Sequence, residues 1–182
     1  MPKLENTAHA PVCVAIDFET SGREGYSACA VGLTRIQNGQ LQQSFYTLLR
    51  PPSSRVLFSD IHGLTWADLK DAPTFAQKWD EMASFCAGVD FFLAHNAPFD
   101  RRVLAACLAY ADLPACEVPF LCTLKGARKA LRSIPSRSLD AVCRHFSIPL
   151  RHHHAASDAM ACAQIYLRLK ELGISEAQML VH

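Results

Sequence analysis

The residues best suited to chemistry are carboxylates, and they come in three separated groups. Asp17 and Glu19 flank Phe18 at the end of a short apolar run. In an extended chain alternate side chains share a face, so Asp17 and Glu19 point one way and Phe18 the other. Two carboxylates side by side repel and lose hydration, so they need a cation between them or full exposure to water. Asp100 follows a second apolar run, within Leu93-Ala94-His95-Asn96-Ala97-Pro98-Phe99-Asp100. If the two runs are neighbouring strands, Asp100 faces the first pair, because ligands of open α/β sheets gather beyond the strand ends. Asp158 lies in the early turn of a late helix, after His152-His153-His154-Ala155-Ala156-Ser157. The small residues before it allow close approach to a sheet. Taken singly, an exposed strand end, a first-turn Asp and a surface His run would account for each group.

The positioning elements can be read from periodicity. Val12–Phe18 is a run of β-formers, and Ala28–Gln37 and Gln40–Leu49 flank Asn38-Gly39, a type I′ hairpin signal. Pro51-Pro52-Ser53-Ser54 interrupts regular structure. A helix is predicted from near Thr74 to Phe85, with Phe75, Trp79, Met82 and Phe85 on one side. Val89–Ala94 reads as a strand, Phe99–Ala111 as a helix opened by Asn96 and Pro98, and Val118–Cys122 as a fifth strand. Helices follow at about Leu124–Arg132, Ser138–Phe146 and Ala156–Leu172. An antiparallel meander joined by two helix-linked parallel strands is a mixed five-stranded sheet flanked by helices, an α/β fold. The 182 residues make one domain, with a core from about 12 to 172.

Composition narrows the setting. No apolar run approaches the ~20 residues of a membrane span, and Met1–Pro11 lacks a secretory apolar stretch, so a cytoplasmic protein is expected. The eight cysteines form no Cys-x-x-Cys pair and sit mostly in apolar runs, which suits buried, reduced thiols better than zinc or disulfides. Net charge is +1, yet from Val118 to Ser157 seven basic residues stand against one acid, Asp140. Such a stripe can track phosphates; a solvated helix surface is the plainer alternative.

Together the three groups resemble the three motifs of the DEDDh exonucleases, the DnaQ-like family that includes the proofreading ε subunit of bacterial DNA polymerase III. Asp17-Phe18-Glu19-Thr20-Ser21-Gly22 is similar to Asp-x-Glu-Thr-Thr/Ser-Gly, and His95-Asn96-Ala97-Pro98-Phe99-Asp100 to His-Asn-x-x-Phe-Asp. His153-His154-Ala155-Ala156-Ser157-Asp158-Ala159 is similar to His-x-Ala-x-x-Asp-Ala, and Ile61-His62-Gly63-Leu64-Thr65 to an Ile-His-Gly-Ile-Thr loop.

The resemblance implies an RNase H-like fold and 3′→5′ hydrolysis of nucleic acid to nucleoside 5′-monophosphates. It implies two divalent ions, Mg²⁺ or Mn²⁺, held by Asp17, Glu19, Asp100 and Asp158, with Asp17 bridging, Glu19 and Asp158 on the first ion and Asp100 on the second. His153 would be the general base, chosen over His152 and His154 by motif spacing. Backbone near Thr20, Ser21 and Gly22 would face the terminal nucleotide, His62 and Phe99 would pack on its base or sugar, and His95 and Asn96 would shape the pocket. The expected partner is a 3′ end, single-stranded DNA before RNA. A catalytically silent binding module is the rival of a different class; it would bind without metal-dependent cleavage. The short stretch from Gly173 to His182 argues against stable polymerase attachment and for a DNA repair or processing role.

Overall fold

The computed structural model describes residues 10–181. The sheet contains β1 (Cys13–Thr20), β2 (Ala28–Gln37), β3 (Gln40–Leu48), β4 (Phe91–Ala94) and β5 (Phe120–Cys122). Its order is β3-β2-β1-β4-β5. β1–β2 and β2–β3 pair antiparallel, whereas β1–β4 and β4–β5 are parallel, as the sequence predicts. Asn38 and Gly39 both take positive φ (53° and 70°), the requirement of the tight hairpin between β2 and β3.

The helices are α1 (Ser59–His62), α2 (Trp66–Leu69), α3 (Phe75–Phe85), α4 (Ala97–Tyr110), α5 (Thr123–Ala130), α6 (Leu139–Phe146), α7 (Ala155–Glu171) and α8 (Glu176–Met179). The five long helices match the sequence reading to within a turn. The one-turn helices α1, α2 and α8 are additions to it. Among the described residues no helix is long and apolar enough to cross a membrane.

Alternation along β1 divides the core. Cys13 and Ala15 face a layer built by α5, α6 and α7, with Leu139, Val142, Ile165 and Leu169. Val14, Ile16 and Phe18 face the α3 and α4 layer, with Met82, Val103, Leu104 and Leu108. Continuing the alternation, Asp17 and Glu19 emerge on the α7 side at the strand's end. All eight cysteines are free, and six of them are buried. Burial pushes the Cys13, Cys29 and Cys86 thiols up to about 12, which suits inert apolar groups.

One sheet edge is covered. Leu180 bridges to Leu121, and the Val181 amide donates to the Phe120 carbonyl (2.9 Å), so the chain after α8 lies along β5. At the other edge β3 exposes Gln40, Gln42 and Gln43 to solvent, along with Leu41 and Tyr46.

Candidate active site

The end of β1 meets the start of α7 over a glycine. Asp17 stands opposite Gly32, and Gly32 opposite Tyr46, in three adjacent strands. A Cβ on Gly32 would lie 2.1 Å from the Ala155 carbonyl oxygen and 2.6 Å from the Ala156 nitrogen. Only a residue without a side chain lets the first turn of α7 rest on the sheet there, and the small Ala155 and Ala156 complete the approach. The contact brings Asp158 over β1.

Three carboxylates consequently converge. One ligand atom from each of Asp17, Glu19 and Asp158 lies within 4.8 Å of the other two. Asp158 is 3% exposed; its Oδ2 accepts from the His153 amide (3.0 Å) and His152 Nδ1 (3.1 Å). Its Oδ1 is buried with no hydrogen-bond partner. Asp100, 2% exposed in the first turn of α4, accepts from the Phe18 amide at Oδ1 (3.1 Å). That bond ties it to β1 between Asp17 and Glu19.

The electrostatics demand a counter-charge. Burial, followed by repulsion from Asp100, Asp158 and Glu19, raises the Asp17 carboxyl well above its ordinary range. Burial and then Asp158 push Glu19 up to about 7, and burial pushes Asp100 up to about 8. Burial also raises Asp158, with His152 opposing. An all-oxygen donor set with one buried orphan oxygen fits a hard divalent cation, which would restore all these groups to their ionised form. Among the described residues, the metal-competent clusters contain no cysteine.

Asp17, Glu19 and Asp158 open into a cleft of about 390 Å³, whose lining does not include Asp100. Thr20, His62, His95, Phe99 and His153 line it, together with Phe58, Ile61, Leu139 and His152, which the sequence reading left out as site residues. Ser21 and Gly22 are occupied elsewhere. The Ser21 amide donates to the Ser27 carbonyl (2.8 Å), and the Gly22 amide donates to Ser27 Oγ (3.2 Å). Asn96 does not line the cleft; it is the exposed residue before α4, with φ 83° and ψ 47° and no side-chain cap bond.

The histidines differ by environment. His95 contacts Thr123 Oγ1 (2.9 Å) and the Arg137 carbonyl (2.9 Å), and burial lowers it to about 4, so it is a neutral brace between β4 and the approach to α6. His62 Nδ1 accepts from the Leu64 amide (3.0 Å), leaving Nε2 toward Cys29 Sγ (3.8 Å). In the triple run, His152 holds Asp158 and stacks on His153 at 3.9 Å, while His154 turns away to stack on Tyr46 at 4.8 Å. His153 has φ 63°, unusual for a residue with a side chain, and this turn directs its amide to Asp158. Burial and then the neighbouring His152 lower its imidazole below the ordinary value. Tyr46 carried no signal in the sequence, because it sits in a polar edge strand.

Comparison with known proteins places this architecture. The exonuclease family model RNase_T matches residues 14–166. The PolC-type DNA polymerase III of Thermotoga petrophila is 33% identical over 173 residues, covering 90% of this chain and 12% of that protein. That of Streptococcus mutans is 29% identical over 163 residues, covering 87% of this chain and 11% of that protein. The chain thus spans roughly an eighth of these relatives. The structure of exonuclease X in complex with 5′-overhanging duplex DNA superposes with a TM-score of 0.72 at 25% identity, covering 92% of this chain and 96% of that one. The nuclease domain of 3′hExo, a DEDDh family member bound to rAMP, superposes with a TM-score of 0.78 at 16% identity, covering 96% and 98%.

Proposed function

Since this chain belongs to the exonuclease family and has the RNase H-like fold of its DEDDh members, we propose that it trims single-stranded nucleic acid, DNA in preference to RNA, from the 3′ end. The products are nucleoside 5′-monophosphates. The observation that carries the reading is the convergence of Asp17, Glu19 and Asp158 in the cleft, where Asp158 also keeps a buried, unpartnered oxygen.

Asp17, Glu19 and Asp158 would hold one Mg²⁺ or Mn²⁺ and Asp100, beside Asp17, a second. Bound there, the ions supply charge stabilisation for the attacking and leaving oxygens of an in-line displacement. Phe99, His62 and Thr20 form the walls against which the terminal base and sugar rest; a π-face accepts any base, so sequence preference is small. His153 takes the proton of the attacking water at a ring nitrogen. The water oxygen bonds to phosphorus, the bond from phosphorus to the upstream 3′ oxygen breaks, and that oxygen is protonated from solvent. His152, stacked on His153 and anchored to Asp158, keeps the base ring over the carboxylates.

The lowered His153 imidazole stays neutral, and able to accept, at neutral pH. Burial chiefly, with a smaller push from Arg128, lowers the His95 imidazole, so the charge of the basic segment is felt at a residue that lines the cleft. Lys125 and Arg144 are engaged with the Leu180 carbonyl and Asp140.

The test uses matched ribo- and deoxyribo-oligonucleotides labelled at either end, incubated with Mg²⁺, Mn²⁺ or EDTA. Mononucleotide release from the 3′ label, abolished by EDTA and by Asp17→Ala, is expected. Cleavage that survives both overturns the reading.

A further inference from the structure

We propose that a stacked tyrosine pair, Tyr26 with Tyr110, is a landing platform for the upstream part of the substrate strand, a binding site distinct from the cleft. The proposal rests on the exonuclease reading and extends it beyond the terminal nucleotide. The two rings lie 4.7 Å apart at 15°, yet they remain 40% and 61% exposed. Exposed, stacked aromatics held in register are costly to leave in water and are the surface a nucleobase recognises.

The platform is built into the fold. Tyr26 belongs to the loop joining β1 to β2, which is closed on itself by the pairing of Ser21 with Ser27. The Cys107 thiol contacts the Gly25 carbonyl (3.7 Å), fixing the loop to α4 beside Tyr110. Both tyrosines border a hollow of about 470 Å³ whose walls include Trp66 and Phe75, with Arg50 and Lys70 among its polar residues. Aromatic faces with adjacent cations suit a base and its phosphate together.

The hollow shares no lining residue with the cleft, and α4 and the loop before β2 connect the two. A depression lined by Gly22, Arg23, Glu24, Gly25 and Arg102 shares Thr20, Phe58 and Phe99 with the cleft, its two cations outweighing the one acid. The Arg102 guanidinium lies 5.5 Å from the centre of the Phe99 ring. Gly25 in that depression precedes Tyr26. From Asp100 to Tyr110, α4 advances by about 15 Å. At roughly 3.4 Å per stacked nucleotide that is about four nucleotides, fewer if the strand is extended. The occupant is therefore the same strand whose 3′ end lies in the cleft, passing Arg23 and Arg102 on the way.

Strand length separates this site from the cleft. KM for a single-stranded decamer and for a trinucleotide would be measured on wild type, Tyr26→Ala, Tyr110→Ala and Tyr110→Phe, with melting temperatures to establish folding. The alanine variants are expected to raise the decamer KM roughly 5–100-fold, the range for losing one stacked base. They should leave trinucleotide KM and kcat unchanged, and Tyr110→Phe should behave as wild type. Equal KM values for the decamer in wild type and both alanine variants overturn the platform while leaving the exonuclease reading intact. Equal losses on both substrates overturn it too, since they would place the tyrosines' effect in the cleft. A wild type that releases nothing from either substrate with Mn²⁺ overturns the exonuclease reading, and this strand path with it.

Discussion

Gly32→Ala tests the placement of Asp158 without touching a carboxylate. The added methyl would meet the Ala155 carbonyl oxygen at 2.1 Å and its carbon at 2.3 Å, both backbone atoms that no rotamer change can move. Relief to ordinary contact, about 3.5 Å, means lifting the first turn of α7 by more than about 1 Å. Overpacking of this kind costs about 1–3 kcal/mol, or roughly 2–12 °C in melting temperature for a chain of this size. The larger effect is on the site, because Asp158 rides on that turn and the three ligand atoms sit within 4.8 Å. A misplacement of about 1 Å reduces turnover roughly 10²-fold, equivalent to about 2.7 kcal/mol of barrier. The assay is kcat on a 3′-labelled oligonucleotide at saturating Mn²⁺, normalised to the folded fraction by circular dichroism. A folded Gly32→Ala protein with wild-type kcat and wild-type Mn²⁺ dependence would refute the idea that this backbone contact sets the carboxylate geometry.

Other perturbations address the remaining parts of the site. Glu19 and Asp100 titrate higher folded (about 7 and 8) than as free carboxylates, so the folded chain holds extra protons between about pH 4 and 8. Their contribution is therefore fully present below the unfolded values and lost as pH rises through the folded ones. In EDTA the melting temperature should fall from pH 5 to pH 8, and Mn²⁺ at pH 8 should recover it; a flat metal-free profile contradicts the buried-charge account. His153→Ala should lower kcat roughly 10²–10⁴-fold, whereas His154→Ala, outside the cleft, should cost far less; the reverse order in single-turnover assays exchanges their roles. Tyr46→Ala removes the stack that holds His154 and should reduce kcat several-fold with KM little changed, while Tyr46→His, keeping a ring, should recover most of it. Asn96→Ala, forced to keep a left-handed backbone, should cost about 1–2 kcal/mol in urea unfolding, and Asn96→Gly much less.

The parts of the fold that were readable share a local cause. Strand alternation places Asp17 and Glu19 together without reference to any other segment, and Asn38-Gly39 fixes the hairpin through two backbone angles. The helices of eight residues or more show enough period to be seen; α1, α2 and α8 span four residues each, scarcely one turn, and have none. What escaped is long-range. The Phe18 amide holds Asp100 across 82 positions, and the Gly32 seat for α7 involves residues more than a hundred apart. Spacing selected one histidine from a run of three, but the distinct work of His152 and His154 depends on Asp158 and Tyr46, which only folding brings near. Asn96 looks like an ordinary helix cap in the sequence; its actual conformation turns the chain out of β4 instead.

The strip of chain laid along β5 has a further consequence. Free strand edges offer amide and carbonyl rows that recruit strands from other molecules. Here Leu180 and Val181 occupy that row beside Phe120 and Leu121, where the exposed backbone would otherwise border a wholly apolar strand. The opposite border relies on glutamines, which keep water close but leave their backbone available. Among the described residues, self-association by strand addition therefore has one open side, and it is the side remote from β5.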